Sequence, residues 1–323
     1  MKCAEQLKNS SFSVLLIEKN KIIGPKICAG GLTGLCGKYG FSESKIRSFT
    51  KIIFYISDKK HKEVELSFPI KIIDRYDLGQ YLLDKIKDSK NITVSKETLA
   101  KEIKKDRVIT NKGDFYYKYL VGADGSYSLV RRFLGLKSKI SIGMYYEVPE
   151  IMDNLMIYFY PKLLKSIYIW AFPHKNHTNI GIGLHLDSKH LTLKQSKKIL
   201  EKFLKKNGFA YSEKEFKAAP LNSYCKGCVF GNVFLVGDAA GLVSKFIGEG
   251  ISYALISGEE IGKRILKPGY EMPELKKALK IKKKEERFGK IFESLPFFRG
   301  FFLKFYINLS KTYLGRSRFP FFY

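Results

Sequence analysis

The stretch VFLVGDAAGLVSKFIGEGISYALISG (233–258) restricts the possible fold more than any other part of the chain. A hydrophobic run, 233–236, ends in Gly237 and Asp238. Ala239, Ala240 and Gly241 follow, and a long helical pattern over 248–266 begins at a Gly-Glu-Gly. Glycine at a strand end lets backbone N–H groups approach a ligand phosphate, and a helix N-terminus favours that negative charge. Asp238 can accept hydrogen bonds from sugar-alcohol hydroxyls, and the small residues after it leave room for a ligand chain. A second turn of the same kind lies in YLVGADGSYSLVRRFLG (119–135). There a hydrophobic strand ends in Gly122-Ala123-Asp124-Gly125, and a helix carrying Arg131 and Arg132 is expected from about Ser126. A third strand, 13–17, ends in Glu18, the residue type that meets a ribose hydroxyl in a dinucleotide-binding unit. Taken singly, each turn also reads as an ordinary Asp-Gly turn. Two such turns together with Glu18 are much harder to explain that way.

The rest of the chain alternates between helical and β-rich blocks. RYDLGQYLLDKIK (75–87) has Leu78, Leu82, Leu83 and Ile86 on one helical face. Residues 91–125 alternate apolar and polar positions across short strands parted by turn signals. Residues 156–186 are rich in aromatic and β-branched residues, and 192–208 read as an amphipathic helix stopped by Gly208. There is no internal repeat. The β-rich blocks sit between the dinucleotide-type segments, so the domains are expected to be interleaved rather than consecutive.

With 323 residues, 45% hydrophobic and 14% aromatic, the chain is globular and long enough for one large domain or two closely packed ones. Its net charge of +27 comes mostly from lysine, with only ten arginines. Nucleic-acid recognition favours arginine forks, so no nucleic-acid partner is expected. A solubilising surface, or attraction to anionic lipid or an acidic partner, explains the charge instead. No stretch reaches the ~18 apolar residues of a membrane span, and no secretory signal pattern is present. The expected compartment is the cytoplasm. Five cysteines, an odd number, do not suggest a secreted disulfide framework. Cys225 and Cys228 form a lone C-x-x-C without the second ligand pair that zinc needs, so they read as coincidental thiols and no metal is expected.

Together the motifs LLIEKN, KICAGGL, RYDLGQYLL, VGADGSYSLVRR, YIWAFP, NIGIG and the 233–258 stretch resemble the flavoprotein family that contains geranylgeranyl reductases. That family belongs to the larger group built like p-hydroxybenzoate hydroxylase, and the resemblance runs from about residue 3 to residue 270. It implies an α/β (α+β) fold: a Rossmann-like FAD-binding domain interleaved with a β-sheet substrate domain, plus a C-terminal helical tail. The implied boundaries are 1–44, 72–136 and 229–266 for the FAD-binding domain, 45–71 and 137–228 for the substrate domain, and 267–323 for the tail. The implied cofactor is FAD. Glu18 would hold the adenosine ribose, Arg75 the ribose–pyrophosphate region, and Ala100 would pack by the adenine. Asp124 and Gly125 would support the pyrophosphate, and Gly237 and Asp238 would meet the ribitol. Cys28, Ala29 and Gly31 would lie along the flavin, with Gly250 and Ile251 facing its ring from a helix start. Tyr168, Trp170 and Phe172 would line the substrate side, and Cys28 and Tyr168 are the candidate catalytic residues.

The implied reaction is saturation of C=C bonds in geranylgeranyl chains for membrane phospholipid synthesis. An isoprenoid lipid would be the substrate, and a reduced nicotinamide or ferredoxin-type protein the electron donor. The alternatives are a flavin monooxygenase or electron-transfer-type dehydrogenase of the same group, and a non-catalytic lipid-binding remnant. Two departures stand out. Lys245 and Ile247 replace a proline and a threonine usual before the Gly-Glu-Gly. The family also begins with a strand and a G-x-G-x-x-G turn that this sequence lacks, for which a late start codon or an incomplete gene is the expected cause. In the tail, Phe298, Phe301, Phe302, Phe305 and Leu309 form one helical stripe, with Lys304, Asn308 and Lys311 on another face. The stripe suits either packing on the body of the protein or peripheral contact with a membrane surface.

Overall fold

The computed structural model describes residues 1–186, 191–295 and 297–309. A short helix, α1 (Lys2–Gln6), precedes the strand β1 (Val14–Ile17). After β2 (Gly31–Leu32) comes a long hairpin of β3 (Ile46–Ile56) and β4 (Lys59–Ile73). Its turn uses Ser57 and Asp58, both at positive φ, which matches the twist of the flanking strands. α2 (Arg75–Asp84) leads to β5 (Ile92–Ser95) and to a meander of β6 (Ala100–Ile103), β7 (Arg107–Thr110) and β8 (Gly113–Tyr116). β9 (Leu120–Gly122) then runs into α3 (Leu129–Phe133). That helix starts three residues later than the sequence suggests, because Ser128 caps it by accepting the Arg131 N–H at 2.9 Å.

The β-rich middle comprises β10 (Ile140–Val148), β11 (Leu155–Phe159), β12 (Tyr168–Pro173) and β13 (Thr178–His185). α4 (Leu193–Lys206) opens on a capping box between Thr192 and Gln195, and β14 (Phe216–Asn222) follows. The chain continues through β15 (Val229–Phe230), β16 (Val233–Leu235), α5 (Ile251–Leu266), α6 (Pro273–Ser294) and α7 (Arg299–Leu309).

The largest sheet has eight strands in the order β14-β10-β13-β12-β11-β3-β4-β2, all antiparallel except the β11–β3 pair. Along β12, Ile169, Ala171 and Pro173 are buried while Tyr168, Trp170 and Phe172 are half-buried, so the period-2 alternation separates two faces. Ile169 and Ala171 pack with Ile180, Ile182 and the α4 residues Leu200, Phe203 and Leu204. The Tyr168 face packs with Ile52, Ile157, Phe292 and Leu303 and opens into a cavity.

Two smaller sheets carry the parallel pairings. β1 pairs with β5, and β16 pairs with β9. Among the described residues no strand pairs with the other edge of β1, and both β1 and β9 line the cavity. α1 crosses α5 closely at two glycines. A Cβ on Gly262 would lie 2.6 Å from Gln6 Cβ, and one on Gly258 would lie 3.1 Å from Lys2 Cβ.

The tail corrects the single stripe expected from sequence. Leu303 and Ile307 are buried, and Phe302 stacks on Phe288 at 5.5 Å, but Phe298, Phe301 and Phe305 are exposed. The covered face of α7 is therefore set by contact with α6 and the sheet, and the three exposed phenylalanines lie outside it. Lys311 lies outside the described residues.

Candidate functional site

A cavity of about 1240 Å³ runs from the β1 end of the molecule to the aromatic face of β12. A pocket for one small ligand is roughly 300–1,000 Å³, so this space suits a long cofactor together with a second ligand. At its first end lie Glu18, at the tip of β1, and Ala100, at the start of β6. Glu18 Oε1 accepts the Asn20 N–H at 2.9 Å. Arg75 opens α2 and reaches the same wall, and its Nε is buried with no hydrogen-bond partner. A buried guanidinium nitrogen left unpaired is costly unless an acceptor occupies the space beside it.

The two glycine turns form the middle of the cavity. Gly125 adopts φ 81° and Gly237 φ 54°, and both positions line the wall. Asp124 serves the protein itself: its carboxylate accepts the Leu129 and Val130 N–H groups at 2.6 and 3.3 Å and so secures the start of α3. Asp238 is buried, with Lys26 Nζ and Ser126 Oγ each 3.0 Å from Oδ2. Its Oδ1 faces Gly250, where an added Cβ would sit 3.5 Å away. Gly250 is the N-cap of α5 and supplies no side chain, and it lines the cavity together with Ile251. A helix N-terminus without a side-chain cap beside a half-engaged carboxylate suits a ligand with both anionic and hydroxyl groups.

Cys28, Ala29 and Gly31 line the cavity on the loop into β2. Cys28 Sγ accepts the Gly30 N–H at 3.5 Å. A Cβ on Gly31 would lie 3.0 Å from the Phe172 ring, so the chain passes close against that aromatic of β12. His174 fixes it from behind. Its Nε2 lies 3.1 Å from Ala29 O and its Nδ1 2.8 Å from Asp74 Oδ1. This hydrogen bond is the main reason the Asp74 carboxyl is held below the usual range. His177 stacks on His174 at 4.4 Å, and burial, then the charge of His174, lowers its pKa. Asp74, His174 and His177 are close enough to share a metal ion, but both nitrogens of His174 already face protein acceptors. The cluster fits a role in positioning the loop.

At the far end Tyr168, Trp170 and Phe172 stand side by side, with ring centroids 6.4 Å apart at each step. Trp170 Nε1 donates to Asn179 Oδ1 at 2.8 Å, and the indole lies against Gly181, where a Cβ would come within 2.2 Å of it. Tyr168 OH donates to Ile247 O at 2.5 Å, and burial raises its pKa. Every cofactor, substrate and catalytic residue named from the sequence thus faces this one cavity.

The structure adds two groups that sequence reasoning missed. Glu249, from the Gly-Glu-Gly, is buried in the cavity wall and accepts the Thr33 hydroxyl at 2.7 Å. Burial raises its pKa. Behind it, burial and then the charge of Glu249 push Glu285 up to about 8, and Tyr253 OH donates to Glu285 Oε2 at 3.2 Å. Glu249 had a sequence signal, an acid between two glycines at a helix start. Glu285 had none, since it sits in the charge run KIKKKEER.

The family described as FAD binding domain matches residues 103–265. The digeranylgeranylglycerophospholipid reductase of Methanococcus vannielii is 29% identical over 289 residues, covering 79% of this chain and 72% of that protein. The enzyme of the same name from Methanocaldococcus jannaschii is 28% identical over 280 residues, covering 78% and 71%. Among solved structures, a geranylgeranyl bacteriochlorophyll reductase-like protein from Thermoplasma acidophilum superimposes with a TM-score of 0.78 at 19% identity, over 99% of this chain and 93% of that one. A probable FAD-dependent monooxygenase from Pseudomonas aeruginosa has the same fold, with a TM-score of 0.67 at 15% identity, over 93% and 95%.

Proposed function

This chain belongs to the FAD binding domain family and is an FAD-dependent oxidoreductase, and from that premise we propose that it saturates C=C bonds in the geranylgeranyl chains of membrane phospholipids. The observation that carries this reading is the row of Tyr168, Trp170 and Phe172, which continues the cofactor cavity as an apolar wall. Burying a prenyl chain there stabilises the complex by about 0.8 kcal/mol per CH₂. The residues present fit FAD: Arg75 offers an unpaired nitrogen, Asp238 an available oxygen, and α5 an N-terminus free of side-chain capping.

Reduced FAD, when bound, supplies the hydride. The protein's part is to favour the negative charge that remains, through the α5 N-terminus, and to hold a proton. Tyr168 gives its hydroxyl hydrogen to Ile247 O and burial makes it a weaker acid still, whereas burial raises Glu249 and Glu285 toward the range in which a carboxyl keeps a proton it can give up. We assign Glu249, which faces the cavity, as the group that presents a proton to the substrate, and Glu285 as its reserve. Cys28 holds the flavin-side loop through Gly30. The electron donor in this reading is a reduced nicotinamide or a ferredoxin-type protein.

No helix among the described residues is long and apolar enough to cross a membrane. In this reading a cytoplasmic protein meets its lipid by peripheral contact, and the exposed Phe298, Phe301 and Phe305 beside Lys304 favour that contact. The test is anaerobic incubation of the flavin-loaded protein with a digeranylgeranyl phospholipid and a chemical reductant, followed by mass analysis of the lipid. Gain of hydrogen supports the proposal. A product that forms only with molecular oxygen supports the monooxygenase reading, and purified protein without flavin absorbance supports a lipid-binding remnant.

A further inference from the structure

The C-x-x-C segment is more organised than coincidental thiols would be. Gly227 adopts φ +135°, so the chain turns back tightly and the Cys225 and Cys228 thiols hydrogen-bond each other. Cys225 is half-buried and Cys228 is buried, so one sulfur is reachable and the other is held behind it. Two cations clamp the carbonyls just before the turn. Arg131, itself fully buried, donates from Nη2 to Tyr224 O at 2.5 Å, and Lys282 Nζ donates to Ser223 O at 3.0 Å. Both cations favour a thiolate at Cys225. The hydrogen bond from Cys228 does most to lower the Cys225 pKa, to about 6, and Cys228 itself is pushed up. The turn also lies directly behind the cofactor loop: a Cβ on Gly241 would come within 2.3 Å of Tyr224 O and 2.9 Å of Cys225 N. Among the described residues no group of three or more close His, Cys, Asp or Glu ligand atoms includes Cys225 or Cys228.

We propose that Cys225 and Cys228 form a reversible dithiol–disulfide site, in which Cys225 attacks and Cys228 resolves, whose partner is a low-molecular-weight disulfide of the glutathione class. The Cys225 thiolate attacks one sulfur of that disulfide, breaking its S–S bond and releasing one thiolate. Cys228 then attacks the Cys225 sulfur of the mixed disulfide, passes its proton to a leaving thiolate, and expels the second thiol. The two cysteines lose two electrons and the partner gains them. The site is independent of the lipid reaction proposed above and needs no bound flavin.

Intact-mass measurement of the full chain after incubation with oxidised glutathione tests it. Wild type is expected to lose about 2 Da, reversibly with a dithiol reductant. Cys228→Ser should instead accumulate one glutathione on Cys225, and Cys225→Ser should leave Cys228 unmodified. Alkylation of Cys225 in wild type, followed by peptide mapping, should show its inflection near pH 6, roughly 2–3 units below an ordinary thiol. A wild-type chain that keeps a stable glutathione adduct without the mass loss overturns the proposal. So does a Cys225 alkylation profile with its inflection at 8 or above.

Discussion

Replacing Glu285 with glutamine removes a buried acid while keeping a side chain that can accept the Tyr253 hydroxyl. Glu285 is 1% exposed, and burial and then Glu249 raise its pKa from 4.5 to about 8. Between those two values the folded chain holds a proton that the unfolded chain has released, so folding stability falls as pH rises through that window. At ~1.4 kcal/mol per unit, the loss for an isolated group approaches about 5 kcal/mol by pH 9. That figure is a ceiling, because local relaxation and water penetration around an ionised buried carboxylate reduce the loss. Urea denaturation of wild type and Glu285→Gln at pH 5, 7 and 9 measures the difference. At pH 5 the two proteins should agree to within about 1 kcal/mol. At pH 9 the variant should be the more stable by several kcal/mol, with ~5 as the limit. Parallel stability profiles from pH 5 to 9 would refute the claim that this carboxyl is held protonated by the fold.

Asp238→Ala should weaken FAD binding by ~1.5–3 kcal/mol, the worth of a hydrogen bond to a charged acceptor, and unchanged flavin retention at limiting FAD would make Asp238 a turn residue only. Gly181→Ala should force Trp170 off its seat, because the new Cβ would lie 2.2 Å from the indole; a cost of ~1–3 kcal/mol and a changed tryptophan fluorescence are expected, and the chain has a single tryptophan to report it. Thr192→Ala should cost ~1 kcal/mol through loss of the capping box on α4, read as a lower denaturation midpoint with an unchanged slope.

Much of the site could be read along the chain because its chemistry is local. A hydrophobic strand that ends in Gly237-Asp238, a helix that starts at Gly250, and an alternating YIWAFP strand each declare their geometry within a few residues, and the structure lines all of them along one cavity. What sequence alone could not decide depended on which faces meet. α6 carries the charge run KIKKKEER, which looks solvated, yet packing against α5 buries Lys282 and Glu285 and raises the pKa of the acid. Asp124 lines the cavity as its turn suggests, and only the fold shows that one of its carboxylate oxygens also secures the start of α3. α7 reads as one aromatic stripe, and only contact with α6 and the sheet chooses Phe302, Leu303 and Ile307 as its covered face. Cys225 and Cys228 lie on a loop with no periodicity, and the cations beside them come from residues 131 and 282, far away in the chain. Backbone preference and strand alternation are properties of neighbours in sequence. Desolvation and charge depend on neighbours in space, and only the folded chain brings those together.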